Sequence, residues 1–189
     1  MASDRDFLFL LGSTRDGGNT ETLARCAARG LPPGAGQRWL RLSEVPLPEY
    51  ADTRHQGEGR DSRPWPDGNE RLLLEGTLQA TDLVIASPVY WYSVSTTVKR
   101  YLDHWVRWMY TPQAEFKDRM RGKTMWAITT LTEEPEQAGP LVGTLRSCAD
   151  YLGMRWGGVL LGTGNRPGDV LGDADALAKA ATFFADSPG

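Results

Sequence analysis

The most restrictive feature of the chain is a series of short apolar runs, each cut off by a turn and followed by residues with helical spacing. Phe7-Leu8-Phe9-Leu10-Leu11 stops at Gly12, and Leu83-Val84-Ile85-Ala86 stops at Ser87-Pro88. Runs this short without polar alternation fit strands buried on both faces. Strands are expected at 7–11, 37–42, 82–86, 124–130 and 155–161, and helices at 20–29, 67–79, 94–109, 140–152 and 173–185. The first helix places Leu23, Ala24, Ala27 and Ala28 on one stripe and ends at Gly30 and Pro32-Pro33. The third carries Val94, Val98, Tyr101, Trp105 and Trp108 at helical spacing, read as a core stripe.

Strict strand–helix alternation implies an α/β, doubly wound, five-stranded parallel sheet with helices on both faces. Right-handed crossovers leave few topologies, among them the flavodoxin-like strand order 2-1-3-4-5. The whole chain, 1–189, is read as one such domain. In this arrangement ligands bind at the carboxyl ends of the strands, at the switch point between strands 1 and 3. The loops after Leu11 and Ala86 are therefore expected to matter most. The segment 43–66, with four prolines and two glycines, reads as a long irregular loop.

The loop after strand 1 reads Gly12-Ser13-Thr14-Arg15-Asp16-Gly17-Gly18-Asn19-Thr20. It offers backbone N–H groups and a helix dipole to an anion, with Ser13, Asn19 and Thr20 as further donors and Arg15 as a charged fork. A nucleoside-triphosphate loop is excluded, because Gly18 and Asn19 stand where its lysine and hydroxyl belong. The dinucleotide pattern G-x-G-x-x-G is missing from this loop, and too little chain follows Gly162-x-Gly164 for that unit. A loop for a single phosphate remains. A bare turn with an N-cap would not need Ser, Arg, Asn and Thr together.

The loop after strand 3, Ser87-Pro88-Val89-Tyr90-Trp91-Tyr92-Ser93, sets three aromatics in a row at the expected ligand edge. They suit a flat aromatic ligand. Tyr92 fits packing against the next helix equally well.

Together, Gly12-Ser13-x-Arg15-x-x-Gly18-Asn19-Thr20, Pro88-Val89-Tyr90-Trp91, Lys99, Leu102-Asp103, Gly122-Lys123 and the ending Gly162-x-Gly164-x-x-Pro167-Gly168-Asp169-Val170-Leu171 resemble the NAD(P)H-dependent FMN reductase and quinone reductase branch of the flavodoxin-like fold. The resemblance implies FMN, with Ser13, Arg15, Gly18, Asn19 and Thr20 at its phosphate and Pro88, Val89, Tyr90, Trp91 and Ser93 along its ring. It implies a third contact from Thr130 onward, where the chain has Thr130-Leu131-Thr132-Glu133-Glu134 in place of glycines common among relatives. It also implies NADH or NADPH as co-substrate, a quinone, free flavin or similar small acceptor, and a homodimer or homotetramer.

Composition narrows the alternatives. Twenty-one basic residues against 24 acidic ones give a net charge of −3, which argues against a nucleic-acid binder. It also gives little support to a pure electron carrier, which usually shows a strongly acidic docking face; an FMN-holding carrier without nicotinamide turnover is the alternative reading. A flavin-free binding module is a third. Cys26 and Cys148 are far apart and no Cys/His cluster exists, so no iron–sulfur or zinc site is expected. The first apolar run is too short for a membrane span or signal core, giving a cytoplasmic expectation. His55 is read as an exposed loop residue and His104 as a surface or interface residue. The basic run Lys117, Arg119, Arg121, Lys123 is read as a solvated helix end, with an NADPH phosphate as its other reading.

Overall fold

The computed structural model describes residues 4–53, 63–132 and 134–185. Five parallel strands form one sheet: β1 (Asp6–Leu11), β2 (Gly36–Arg41), β3 (Asp82–Ala86), β4 (Thr124–Leu131) and β5 (Arg155–Thr163), in the order β2-β1-β3-β4-β5. The helices are α1 (Asn19–Ala28), α2 (Gly68–Gln79), α3 (Thr96–Met109), α4 (Phe116–Met120), α5 (Gly139–Tyr151) and α6 (Ala174–Ala180).

β1, β3 and β4 form the middle of the sheet, and their apolar runs feed alternate residues into two cores. Phe7, Phe9, Leu11, Val84, Trp126 and Ile128 meet α1 and α6 on one face. Leu8, Leu10, Leu83, Ile85, Met125 and Ala127 meet the remaining helices on the other. On β2, Trp39 stacks on Phe9 at 3.9 Å between ring centroids, while Leu40 and Leu42 turn to the opposite core. The alternation read in this strand has that cause. Tyr101, Trp105 and Trp108 of α3 are buried, as core residues should be.

Three features depart from the sequence reading, and a fourth follows it with a difference in packing. α3 begins at Thr96, not at 94, because Ser95 has extended backbone and its hydroxyl accepts from the Val98 amide. α4 was not visible, since five residues carry too little periodicity to register. α6 stops at Ala180, and turns carry the chain on to 185. The 43–66 segment shows no regular element among its described residues, yet Leu47 is buried and Trp65 packs against the core.

His104 is buried, not exposed. Its Nε2–H donates to the Pro48 carbonyl at 3.1 Å, and Nδ1 faces Glu70 at 3.3 Å. His55 lies outside the described residues. Among the described residues no helix is long and apolar enough to cross a membrane, and no cluster of metal-ligating side chains occurs.

Because β1 sits between β2 and β3, the chain leaves β1 toward one face and β3 toward the other. α1 packs on the Phe7–Phe9 face and α3 on the Leu8–Leu10 face. Their divergence opens a crevice at the carboxyl edge of the sheet.

Candidate active site

A cleft of about 360 Å³ occupies that crevice. The loops around it stay tied to the sheet after the strands end. Gly12 N–H donates to Ala86, Ser87 N–H to Ile128, and Gly164 N–H to Leu131, at 2.8–3.0 Å. The walls are therefore continuations of the strand ladder, held by the same bonds.

Ser13, Arg15, Gly18, Asn19 and Thr20 line one end. Gly17 takes a left-handed φ of 61°, which turns the chain into α1. The helix N-cap is Gly18, which has no side chain to satisfy the first-turn amides. Arg15 leans along the exposed rim, where Nη1 approaches the Asn165 carbonyl at 3.5 Å. Asn19 differs from the expectation that its side chain donates to a ligand. Its Nδ2 donates to the Arg166 carbonyl and its Oδ1 accepts from Gly168 and Val170, so the side chain clamps segment 166–170. Gly164 permits that clamp, since a Cβ there would lie 2.6 Å from Asn19 Nδ2. Asp169 folds the same segment by accepting from the Asn165 and Arg166 amides, which hold its carboxyl below the usual range.

A buried ion network lies behind this loop. Glu21 accepts from Arg41 at 2.7 Å, from Arg25 at 2.7 and 2.9 Å, and from the Gly17 amide at 3.2 Å. Burial by itself would raise the Glu21 pKa; the bonds from Arg41 and Arg25 outweigh it and hold the carboxyl low. Arg41 also donates to the Arg15 carbonyl at 3.1 Å and approaches Asp16 at 3.4 Å and Glu44 at 3.2 Å. Its guanidinium thus fixes the back of the loop.

Pro88, Val89, Tyr90, Trp91 and Tyr92 form the opposite wall. Tyr90 and Ser93 exchange both backbone hydrogen bonds at 3.0 Å, so Trp91 and Tyr92 are the two residues of a tight hairpin turn. Both have positive φ, 48° and 64°. Such turns normally use Asn-Gly, and bulky residues in that conformation cost about 1–3 kcal/mol each. Trp91 is 94% exposed, so its own burial does not offset the strain. The strained, exposed aromatic turn thus stands at the mouth of the cleft. Ser93 falls outside the lining, because its backbone is spent closing the turn.

Thr130 lines the floor, where its hydroxyl lies 2.7 Å from that of Thr20. Leu131, Thr132, Gln137, Gly164 and Asn165 complete the lining. Leu131 and Thr132 fall in the third loop that the resemblance implied, whereas Gln137, Gly164 and Asn165 were not picked out from the sequence as ligand contacts. They come from separate segments that meet only in the fold. The basic residues Arg119, Arg121 and Lys123 line a different cavity, at the amino edge of the sheet, and do not reach this cleft.

Sheet order and cleft together define a flavodoxin-like protein, with a glycine-rich loop and an aromatic wall facing each other across the switch point. The family model for NADPH-dependent FMN reductase matches residues 6–155, and the chain belongs to that family. The chain is 34% identical over 175 residues to YwqN of Bacillus subtilis (strain 168), provisionally named an NAD(P)H-dependent FMN-containing oxidoreductase, covering 92% of this chain and 93% of that protein. Among solved structures, the Trp repressor binding protein of Bacillus subtilis superposes with a TM-score of 0.75 at 28% identity, over 96% of this chain and 99% of that one. A flavodoxin, WrbA-like protein of Agrobacterium tumefaciens shares the fold, with a TM-score of 0.61 at 15% identity over 96% of each chain.

Proposed function

We propose that the cleft holds FMN, and that the chain uses it to pass hydride equivalents from NADH or NADPH to a quinone, free flavin or similar small acceptor. The observation that carries this reading is the pairing, in one cleft, of an uncapped helix start with a strained, exposed aromatic turn.

The residues present fit the group. The amides of the first turn of α1, which Gly18 leaves without a side-chain cap, are suited to the phosphate, with Ser13 Oγ and the Arg15 guanidinium beside them. Pro88 to Trp91 offer a flat wall for the ring, and Thr130 a hydroxyl beneath it. When bound, FMN supplies the two-electron chemistry itself. The protein's part is to bind, orient and shield. Arg41 and Glu21 keep the anion loop in shape before the ligand arrives, and Asn19 holds segment 166–170 against the cleft. No acid–base side chain is needed within the cleft. The exposed outer face of Trp91 leaves room for a second planar molecule.

The test is anaerobic addition of NADH and NADPH to the FMN-loaded protein, followed by a quinone. Bleaching of the flavin on a catalytic timescale, then recovery with acceptor, is expected. Bleaching by dithionite but by neither nicotinamide would overturn the reductase reading in favour of an electron carrier.

A further inference from the structure

We infer that the amino edge of the sheet, the end opposite the cleft, carries a binding site for a compact oligophosphate: a pyrophosphate or triphosphate chain, free or at the end of a nucleotide. A cavity of about 440 Å³ there is lined by Arg5, Arg119, Arg121, Lys123 and Arg155. That volume lies in the range of small-ligand sites. Five cations gather in a chain whose net charge is −3.

The one carboxylate in the lining, Asp82, is already committed. It accepts from Arg5 at 2.6 and 3.1 Å, from Trp126 Nε1 at 2.8 Å and from the Thr81 hydroxyl at 2.8 Å. It is buried and balances Arg5, leaving the other four cations in excess. Arg119 and Arg155 have no hydrogen-bond or ion-pair partner for their side chains among the described residues, and Arg121 reaches Asp118 only at 3.8 Å. Lys123 donates to the carbonyls of Leu78 and Ala80, which take two of its three protons and leave its charge unbalanced. Burial, and then repulsion from Arg119, hold its pKa below the ordinary lysine value. A cluster of this kind is relieved by an anion with several oxygens. Guanidinium forks match phosphate oxygens in pairs, and a chain of two or three phosphates can span more than one fork.

The site is separate from the cleft. Thr124, at the start of β4, borders this cavity, whereas Thr130 and Leu131, at its end, border the cleft. At a rise of about 3.3 Å per residue the two lie about 20 Å apart. The inference therefore stands independently of the FMN reading.

The experiment is calorimetric titration of the full chain, with saturating FMN present, using sodium tripolyphosphate, ATP and adenosine. Saturable binding of tripolyphosphate and ATP, weakening with added salt, and none of adenosine alone, is expected. Equal affinities for the two would mark the free phosphate chain as sufficient; tighter ATP would mark a nucleotide. The double variant Arg119→Ala, Arg155→Ala should weaken both by about 10-fold or more, with the unliganded melting temperature and flavin spectrum unchanged. Should that variant fold poorly, Arg119→Lys with Arg155→Lys keeps the charge and loses the forks, and still predicts weaker binding. Four results would overturn the inference: no saturable binding, undiminished binding in the variants, displacement of FMN by tripolyphosphate, or tighter binding of a single-stranded RNA than of tripolyphosphate.

Discussion

Replacing Arg41 with glutamine should damage the anion loop without touching the ligand. The Arg41 side chain is 13% exposed and its partner Glu21 is 6% exposed. Removing one member of a buried ion pair typically costs about 3–5 kcal/mol. Here Arg25 and the Gly17 amide still serve Glu21, so about 2–3 kcal/mol is the better expectation. For a chain of this length that lowers Tm by roughly 4–12 °C. The sign of the pH dependence follows from Glu21, whose folded pKa is lowered from 4.5. The stability this bond contributes is fully present above 4.5 and is lost as pH falls through the lowered value. The gap between Arg41→Gln and the parent should thus be widest at neutral pH and should narrow below pH 4.5. Ligand binding supplies a second readout. The Arg15 carbonyl loses its donor, so the loop's peptide planes are no longer set in advance, and FMN should weaken more than riboflavin. Urea melts from pH 3 to 7 and titrations with both flavins check each part. A stability gap that does not change with pH, together with equal losses for both flavins, would refute the reasoning.

Arg15→Ala should weaken FMN by about 10- to 100-fold and leave riboflavin almost unchanged, because the proposed role of the guanidinium is to meet the phosphate that riboflavin lacks; fluorescence titration of both ligands checks it. Trp91→Ala should weaken both flavins by a similar factor, about 2- to 10-fold, because ring stacking is common to them. Glu70→Gln should lower stability by about 1–3 kcal/mol and leave FMN affinity unchanged. Burial pushes the Glu70 pKa up, but His104, the nearby Arg107 charge and the Trp108 hydrogen bond bring it below 4.5, so in acid titration this variant should also lose part of the parent's stability change below that pH.

The sheet was legible because burial on two faces leaves a plain signature. The limits of β3, 82–86, are the same in sequence and structure, and the observed order is one of the few that right-handed crossovers leave. Helix ends were less visible where a side chain decides them. Ser95 caps α3 through its hydroxyl, and apolar Val94 before it extends the periodicity past the true start. The two main walls of the cleft could be read because each is contiguous. Gln137 and Asn165 could not, since they converge from separate loops. The Arg41–Glu21 pair was missed as well, although one signal existed. In a parallel pair the last residue of β2 must lie beside the last residue of β1, and Leu11 is in register with Arg41. An arginine there is placed to meet a carboxylate from the first turn of α1.

The hairpin at Trp91-Tyr92 sets heat tolerance against ligand grip at two adjacent positions. Asn-Gly would relax a backbone that now carries about 1–3 kcal/mol of strain at each residue. A laboratory selection for thermal survival alone would therefore enrich that dipeptide and remove the platform with it. Any effort to make this chain hardier without blunting it has to hold residues 91 and 92 and the start of α1 fixed and seek its gains in the two cores or at the start of α2, where Asp67 makes no capping bond.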